Sequence, residues 1–258
     1  MIFERYELNF IIKFSKNNKM EMPIDMQHQV MGYDRTASMF SPEGHLLQVE
    51  YAEKAVRLGP SSMGMVCSDG IFIIADKRFG DKLIVKKLTN KIHEIDSHII
   101  SSVAGIFSDA RVLIERAQVL AQQHRVTYDS PIEPELIIKE ISNMQQQFTQ
   151  YGGVRPFGIS LMIAGINRKK PELYISDITG NYLIYHANAI GENDEKIKEI
   201  LREKYEPELT IKKGVKLTVD IFKEIQGKKF NLNRFELAYI KNDEEKIKRL
   251  NGEKIKNL

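Results

Sequence analysis

The chain has 258 residues, 42% of them hydrophobic and 28% charged, enough to fill the core of one large domain or two small ones. Its formal charge is +3, with Lys and Arg interleaved among Asp and Glu, so there is no basic stripe to follow a phosphate backbone and nucleic acid is not expected as a partner. No apolar run reaches the ~20 residues that span a bilayer, and the lone Cys67 has no partner for an internal disulfide; a cytoplasmic protein of a reducing compartment, with no membrane partner, is expected.

Met1 to Phe14 is apolar but broken by acidic and basic residues, with no small-residue cleavage site after it, so it does not read as a signal peptide. Residues 1–30 are taken as an N-terminal extension. An irregular polar tip then runs from Tyr33 to a Ser41-Pro42-Glu43-Gly44 turn. Pro42 fixes φ there and Gly44 permits a backbone that other residues resist, so the turn is expected to be rigid.

From His45 to Leu58 nothing interrupts a helix, and Gly59 supplies a stop. At 100° per residue Leu47, Leu58, Tyr51 and Ala55 form one apolar edge, and Ala52, His45, Val56 and Val49 form a second beside it. Glu50, Glu53, Lys54 and Arg57 occupy the remainder. The combined apolar arc is roughly 200° wide, about twice that of an ordinary surface helix. Such a helix is expected to pack on its own domain and on a neighbour.

Ser62–Cys67 and Ile71–Asp76 are short apolar runs joined by Ser68-Asp69-Gly70, a hairpin pattern. Lys91–Ile95 and His98–Val103 form a second pair around Asp96-Ser97. Ser108 and Asp109 are placed to cap a helix whose Leu113, Ala117, Leu120 and His124 share a face. Beyond Pro131 and Pro134, the residues Ile137, Ile141, Met144, Phe148 and Tyr151 recur at helical spacing. Gly158–Ile166, Glu172–Asp177 and Asn181–Ala187 read as strands, the last two joined at Thr179-Gly180. Two helices follow, one carrying Ile197, Leu201 and Tyr205, the other Ile211, Val215, Val219 and Phe222. Asn233–Ile240 reads as the last strand, and the charged tail Asp243–Leu258 as a solvated helix.

Strands, two helices, strands, two helices and a strand can bury two sheets face to face with helices outside. With no repeat or flexible linker, residues 31–242 are taken as one domain. The six His residues show no metal-ligand spacing, and Tyr151-Gly152-Gly153-Val154-Arg155-Pro156-Phe157-Gly158 is glycine-rich but lacks the Lys-Ser/Thr of a P-loop. No metal and no cofactor are expected. Arg155 is read as a subunit contact at a structural bend.

The run from Tyr33 to Ala52 resembles the N-terminal signature of proteasome α-type subunits, archaeal ones especially. The likeness continues through Gly-Pro-Ser-Ser-Met-Gly at Gly59, Ala-Asp-Lys-Arg at Ala75, Asn-Lys-Ile at Asn90, the run from Ala104 to Arg111, Tyr151–Gly158 and Ala-Ile-Gly at Ala189. It covers about residues 31 to 240. The resemblance implies an α+β, four-layer αββα sandwich of the N-terminal-nucleophile hydrolase type. It further implies a non-catalytic subunit of a seven-membered α ring, partnered by other α subunits, by β subunits that carry the threonine peptidase sites, and by the C-terminal tails of an activator ATPase, in ubiquitin-independent protein degradation.

Such hydrolases use a freed N-terminal Thr whose own amine is the base. Here Pro60 stands at the matching position, after Gly59, and offers no hydroxyl. Asp76 and Lys91 match the carboxylate and amine around the nucleophile of active subunits. The alternative is a self-processing hydrolase using Ser61, which lies one residue out and on the opposite face of a strand, and Pro60 argues against it. A free-standing peptide-binding module is a further rival, disfavoured by the two-sided helix. By the same resemblance Tyr33, Asp34, Arg35, Pro42 and Tyr51 belong to the gate, within segment 31–44 and the helix after it. Lys91, Gly59 and Glu50 belong to the activator-docking pocket, Lys91 meeting the tail carboxylate. Leu58 stands where the family usually has a basic residue.

Archaeal α subunits usually begin near the Met26-Gln27-His28 run, with Met20 and Met22 as other candidate starts, so the residues upstream are expected to be surplus. An intact mass of the subunit from its own cells matching Met26 is the expected result. A mass matching Met1 would refute the truncated start and make the extension, with Phe3, Phe10, Ile11, Ile12 and Phe14, a candidate pore plug.

Overall fold

The structure, a computed structural model, describes residues 32, 35–36, 38–78, 83, 90–244 and 246–258. Strand β1 (Ser62–Cys67) and strand β2 (Gly70–Asp76) form the expected hairpin, from Ser62 opposite Ala75 to Cys67 opposite Gly70. β2 also pairs with β9 (Phe235–Lys241), which carries β10 (Ile247–Asn251) on its other side, while β8 (Ala187–Ile190) joins β1. The second sheet runs in the order β3 (Ile92–Asp96), β4 (Ile99–Gly105), β5 (Ile159–Asn167), β6 (Lys170–Ser176) and β7 (Tyr182–Tyr185). All these pairings are antiparallel.

Strand side chains alternate between faces, so a strand covered on both sides reads as continuously apolar. In β2, Ile71, Ile73 and Ala75 face the second sheet and meet Ile92, Ile100, Met162, Ala164 and Leu173. Phe72 and Ile74 point the other way, into a layer with Ile197 and Leu201 of helix α4 (Asp194–Lys204) and Val215 and Phe222 of helix α5 (Ile211–Gln226). Behind the second sheet, Val103, Ile159 and Ile163 pack on Leu113 and Ala117 of helix α2 (Phe107–Tyr128) and Ile137 and Ile141 of helix α3 (Pro134–Gln150). Helix, sheet, sheet, helix is the four-layer arrangement expected from the sequence.

Helix α1 (Leu47–Leu58) stands apart from those layers. Its Val49 and Val56 join the inter-sheet core and it lies against β4 and β5, so it closes one end of the sandwich. Gly59 ends it for a different reason than a left-handed cap, since its φ is −70°. A Cβ there would stand 2.5 Å from the backbone nitrogen of Gly105, so two backbones meet where no side chain fits.

Four other expectations are corrected. The residue before α2 is Ile106, without a side-chain cap; Asp109 sits in the first turn and binds Arg155 instead. Tyr151 lies just past α3 and is exposed, so it adds nothing to that helix's apolar face. The run Asn181–Ala187 is not one strand. It breaks at His186, whose carbonyl accepts the Val66 N–H, and the chain passes from the second sheet to the first. The tail is not a solvated helix: Ile247 pairs opposite Ile240 and Leu250 opposite Leu237, and the following 3-10 segment Gly252–Asn257 buries Ile255 in the layer of α4 and α5.

Ile255→Ala therefore removes a buried side chain and should cost about 2–4 kcal/mol in chemical denaturation of the purified chain. A residue on a solvated tail would cost less than ~0.5 kcal/mol, and a loss that small would contradict the docked tail.

Candidate functional site

Antiparallel register brings four chain segments to one end of the sandwich. Ser62 opposes Ala75 and Asp76 opposes Phe235, so the start of β1, the end of β2 and the start of β9 lie together. The second sheet delivers the start of β3 to the same place: the Ser62 and Ser102 hydroxyls are 2.8 Å apart, and Ser102 donates to the Lys91 carbonyl at 3.3 Å.

Glu236 pins that junction. It is buried within the apolar run Phe235-Glu236-Leu237-Ala238, and its Oε1 accepts the backbone N–H of Lys91 at 2.5 Å and that of Ile92. Its Oε2 lies 3.0 Å from Lys77 Nζ. A buried carboxylate is tolerable when donors and a cation meet it in this way. Glu236 is not among the residues expected from the sequence; the signal available was an acid inside an otherwise apolar strand.

Asp76 is fully buried. Its Oδ2 accepts from Arg234 at 3.0 Å, from Gln226 Nε2 at 3.0 Å and from Arg78 Nε at 3.4 Å, and Arg78 also binds Glu192. Asp76 Oδ1 has no hydrogen-bond partner among the described residues. Lys91 is only 1% exposed, and its Nζ donates to the Pro60 carbonyl. Among the described residues it makes no ion pair. Burial drives its ammonium down to about 7; Asp76 and then Glu236 offset part of that fall, and Arg78 adds to it.

A nucleophile is what this constellation lacks. Pro60 has no hydroxyl, and its carbonyl is the acceptor for the amine that would otherwise assist catalysis. The Ser61 hydroxyl is buried and donates to the Glu192 carbonyl at 2.6 Å, with no base on it. The acid and the amine are thus gathered around a position that cannot attack a peptide bond.

Residues 33–55 match the N-terminal signature of A-type proteasome subunits, and residues 56–240 match the proteasome subunit family. The chain belongs to the proteasome subunit family. It is 42% identical over 227 residues to a proteasome alpha subunit of Archaeoglobus fulgidus, a match covering 88% of this chain and 92% of the relative. It is 39% identical over 228 residues to one from Methanosarcina acetivorans, with 88% and 92% covered, and 41% identical over 224 residues to one from Thermococcus sibiricus, with 87% and 85% covered. The signature and these relatives make it an α-type proteasome subunit, one that assembles with other proteasome subunits.

The remaining sequence-predicted positions of this proteasome subunit are scattered in part. Lys91, expected both beside the position of the missing nucleophile and in a docking pocket, is buried with its amine on the Pro60 carbonyl. Gly59 is buried, its carbonyl accepting the Glu192 N–H at 2.9 Å. Glu50 lies on α1 with Oε1 2.6 Å from His45 Nδ1. Tyr51 is half-buried, with Lys54 Nζ 5.3 Å from its ring centre. Pro42 is exposed in a turn closed by Gly44 N–H to Ser41 carbonyl (2.9 Å) and by His45 N–H to Ser41 Oγ (3.2 Å). Arg35 is exposed, and Tyr33 and Asp34 lie outside the described residues. Arg155 makes an internal contact: its two terminal nitrogens meet the Asp109 oxygens at 2.6 and 2.7 Å, and Gly158 N–H adds a bond at 3.0 Å. Burial alone would raise the Asp109 carboxyl, but the Arg155 and Gly158 bonds outweigh it and hold the group below its ordinary value.

Lys91 sets a pH dependence. Unfolded, it titrates near the ordinary 10.5; folded, near 7. Between those values the unfolded chain binds the additional proton, so stability rises with pH across that window and is flat on this account below it. The rise should amount to a few kcal/mol. Lys91→Met should flatten it in denaturation measured from pH 7 to 10.5, and an unchanged rise in the variant would move the assignment to another group.

Proposed function

We propose that this chain is a catalytically silent subunit of a seven-membered, cytoplasmic α ring that caps the proteasome core. In this reading, segment 31–44 gates the admission of substrate, and the end of α1 with Lys91 receives the C-terminal tail of an activator ATPase. Peptide-bond cleavage takes place on partner β subunits. The observation that carries the reading is Pro60, without a hydroxyl, held beneath the Lys91 ammonium where a nucleophile would stand.

Uncovered apolar surface supports assembly. Leu58, at the end of α1, is 81% exposed, and Phe40 and Met39 before it are exposed as well. On α2, the exposed Val112, Val119 and Val126 recur every seven residues, a seam suited to a partner helix. The locked turn from Ser41 to His45 supports the gate by giving the segment before it a fixed point of departure. Docking at Lys91 requires the tail carboxylate to reach an ammonium now held by the Pro60 carbonyl. That exchange replaces a neutral acceptor with a charged one, which a desolvated cation favours.

The purified chain should hydrolyse no fluorogenic peptide, and mixing it with a matching β subunit should give activity. Hydrolysis by the chain alone, surviving removal of contaminants, would restore the Ser61 alternative. Lys91→Ala should leave small-peptide hydrolysis by the bare core nearly intact while weakening activator-stimulated proteolysis. The lost charge-assisted bond is worth about 1.5–3 kcal/mol, roughly tenfold or more in affinity. Undiminished activator binding by the variant would give the docking role to another residue.

A further inference from the structure

We infer that docking of a carboxylate tail at Lys91 is coupled to uptake of a proton, so that activator affinity is set by pH in the neutral to mildly alkaline range. The inference rests on the docking reading above and adds a regulation to it.

The geometry is that of a cation site without a paired counter-ion among the described residues. The Lys91 side chain is sealed from solvent and its one described partner is the neutral carbonyl of Pro60. The two nearby carboxylates offset part of the cost of the charge, but neither pairs directly with Lys91, and both are bonded to other groups, with only Asp76 Oδ1 left without a partner among the described residues. Asp76, at the end of β2, receives Arg234, Gln226 and Arg78, and Glu236, on β9, receives Lys77 and the N–H groups of Lys91 and Ile92. Glu192, in the turn before α4, binds Arg78. From the cationic side, Arg78 adds repulsion. The amine therefore gains little in the free subunit by holding its proton, and burial makes the charge costly.

A docked tail changes that balance. Its carboxylate supplies the missing counter-ion at short range in a desolvated place, where an ammonium and carboxylate attract strongly and a neutral amine gains far less. The free subunit gives up this proton near pH 7. Above that pH most Lys91 is neutral, and each docking event must draw a proton from solution. By linkage the dissociation constant then rises up to tenfold per pH unit, until the pH reaches the higher value at which the docked ammonium itself titrates. Below about pH 7 the affinity is flat on this account. His93, two residues along β3, is pushed below its ordinary 6.5 by burial, so its titration falls beneath this window.

The proton also gives the site a preference for chemistry. A tail ending in an amide brings no charge and recruits no proton, and its carbonyl offers the ammonium no more than the Pro60 carbonyl already does. A carboxylate terminus is thus distinguished from an internal or blocked one, and most strongly where Lys91 is protonated.

The test uses the assembled α/β core and an N-acetylated heptapeptide ending in Leu-Tyr-Ala, free of His, Lys, Asp and Glu, beside the same peptide amidated. Binding is followed from pH 6 to 9 by competition with a labelled copy. The carboxylate peptide should keep one affinity up to about pH 7 and then weaken by up to tenfold per unit, while the amide stays weak and level throughout. Calorimetry at pH 8 in buffers of different ionisation enthalpy should report close to one proton taken up per peptide, a measurement that needs no variant. Lys91→Arg, whose charge does not titrate in this range, should bind with a level profile if the core assembles. A carboxylate peptide bound equally from pH 6 to 9 with no proton uptake would overturn the coupling and leave the docking reading standing. No difference between carboxylate and amide at any pH would overturn both.

Discussion

A lysine ammonium shut inside the end of a β-sandwich is the constraint around which this subunit is organised. A buried cation without a partner is among the most expensive groups a fold can hold, and the surroundings of Lys91 show how the cost is contained. Pro60 offers its carbonyl, Glu236 fixes the backbone at Lys91 and Ile92, and Asp76 lies close enough to help while being bonded to Arg234, Gln226 and Arg78. In a nucleophilic hydrolase an amine so placed would serve a hydroxyl. In this α-type proteasome subunit it serves a carbonyl, and the same arrangement that could have supported chemistry becomes a structural lock between the two sheets.

The fold brings that lock to one end of the sandwich, the end at which docking is proposed. β1, β2 and β9 end or begin there from one sheet and β3 from the other, and α1 closes the inter-sheet core nearby through Val49 and Val56. Gly59 joins the two features, because α1 can run into β1 only where its backbone passes against Gly105 without a side chain between them. One side of α1 is thereby committed to its own domain, and the Leu58 end is left exposed. The proposed ring, gate and docking site all draw on this division, since a helix anchored on one side can transmit a push on the other to β1 and to Pro60.

Long-period patterns carried most of the legible information. The order of strands and helices allowed a four-layer architecture and the family resemblance implied it, while apolar recurrence placed α2, α3, α4 and α5, because burial against a sheet forces one face of each helix to be hydrophobic. The absent nucleophile was legible at Pro60 because a missing hydroxyl is a matter of residue identity. What escaped was decided by contacts distant in sequence. β10 reads as charged because an edge strand can keep Lys248 and Arg249 while Ile247 and Leu250 pair across β9. The break at His186 leaves no mark in composition, since both halves alternate like a strand and only the choice of partner changes. Ser108 and Asp109 have the residue types of a cap, yet Arg155, 46 residues away, competes successfully for the carboxylate. The neighbourhood of Lys91 followed from the family resemblance, but the extent of its burial did not, because that depends on Pro60 and on Glu236, more than a hundred residues later.

The central claim is that this chain is a building block of a closed ring, silent in itself. Native mass spectrometry of the purified chain tests it most directly. The account predicts a discrete assembly of seven copies of the 29.8 kDa chain, or twice that number where two rings stack. A species that stays at 29.8 kDa across the concentration range would contradict it, and would turn the exposed edge of α1 from a subunit contact into the surface of a free-standing binding module.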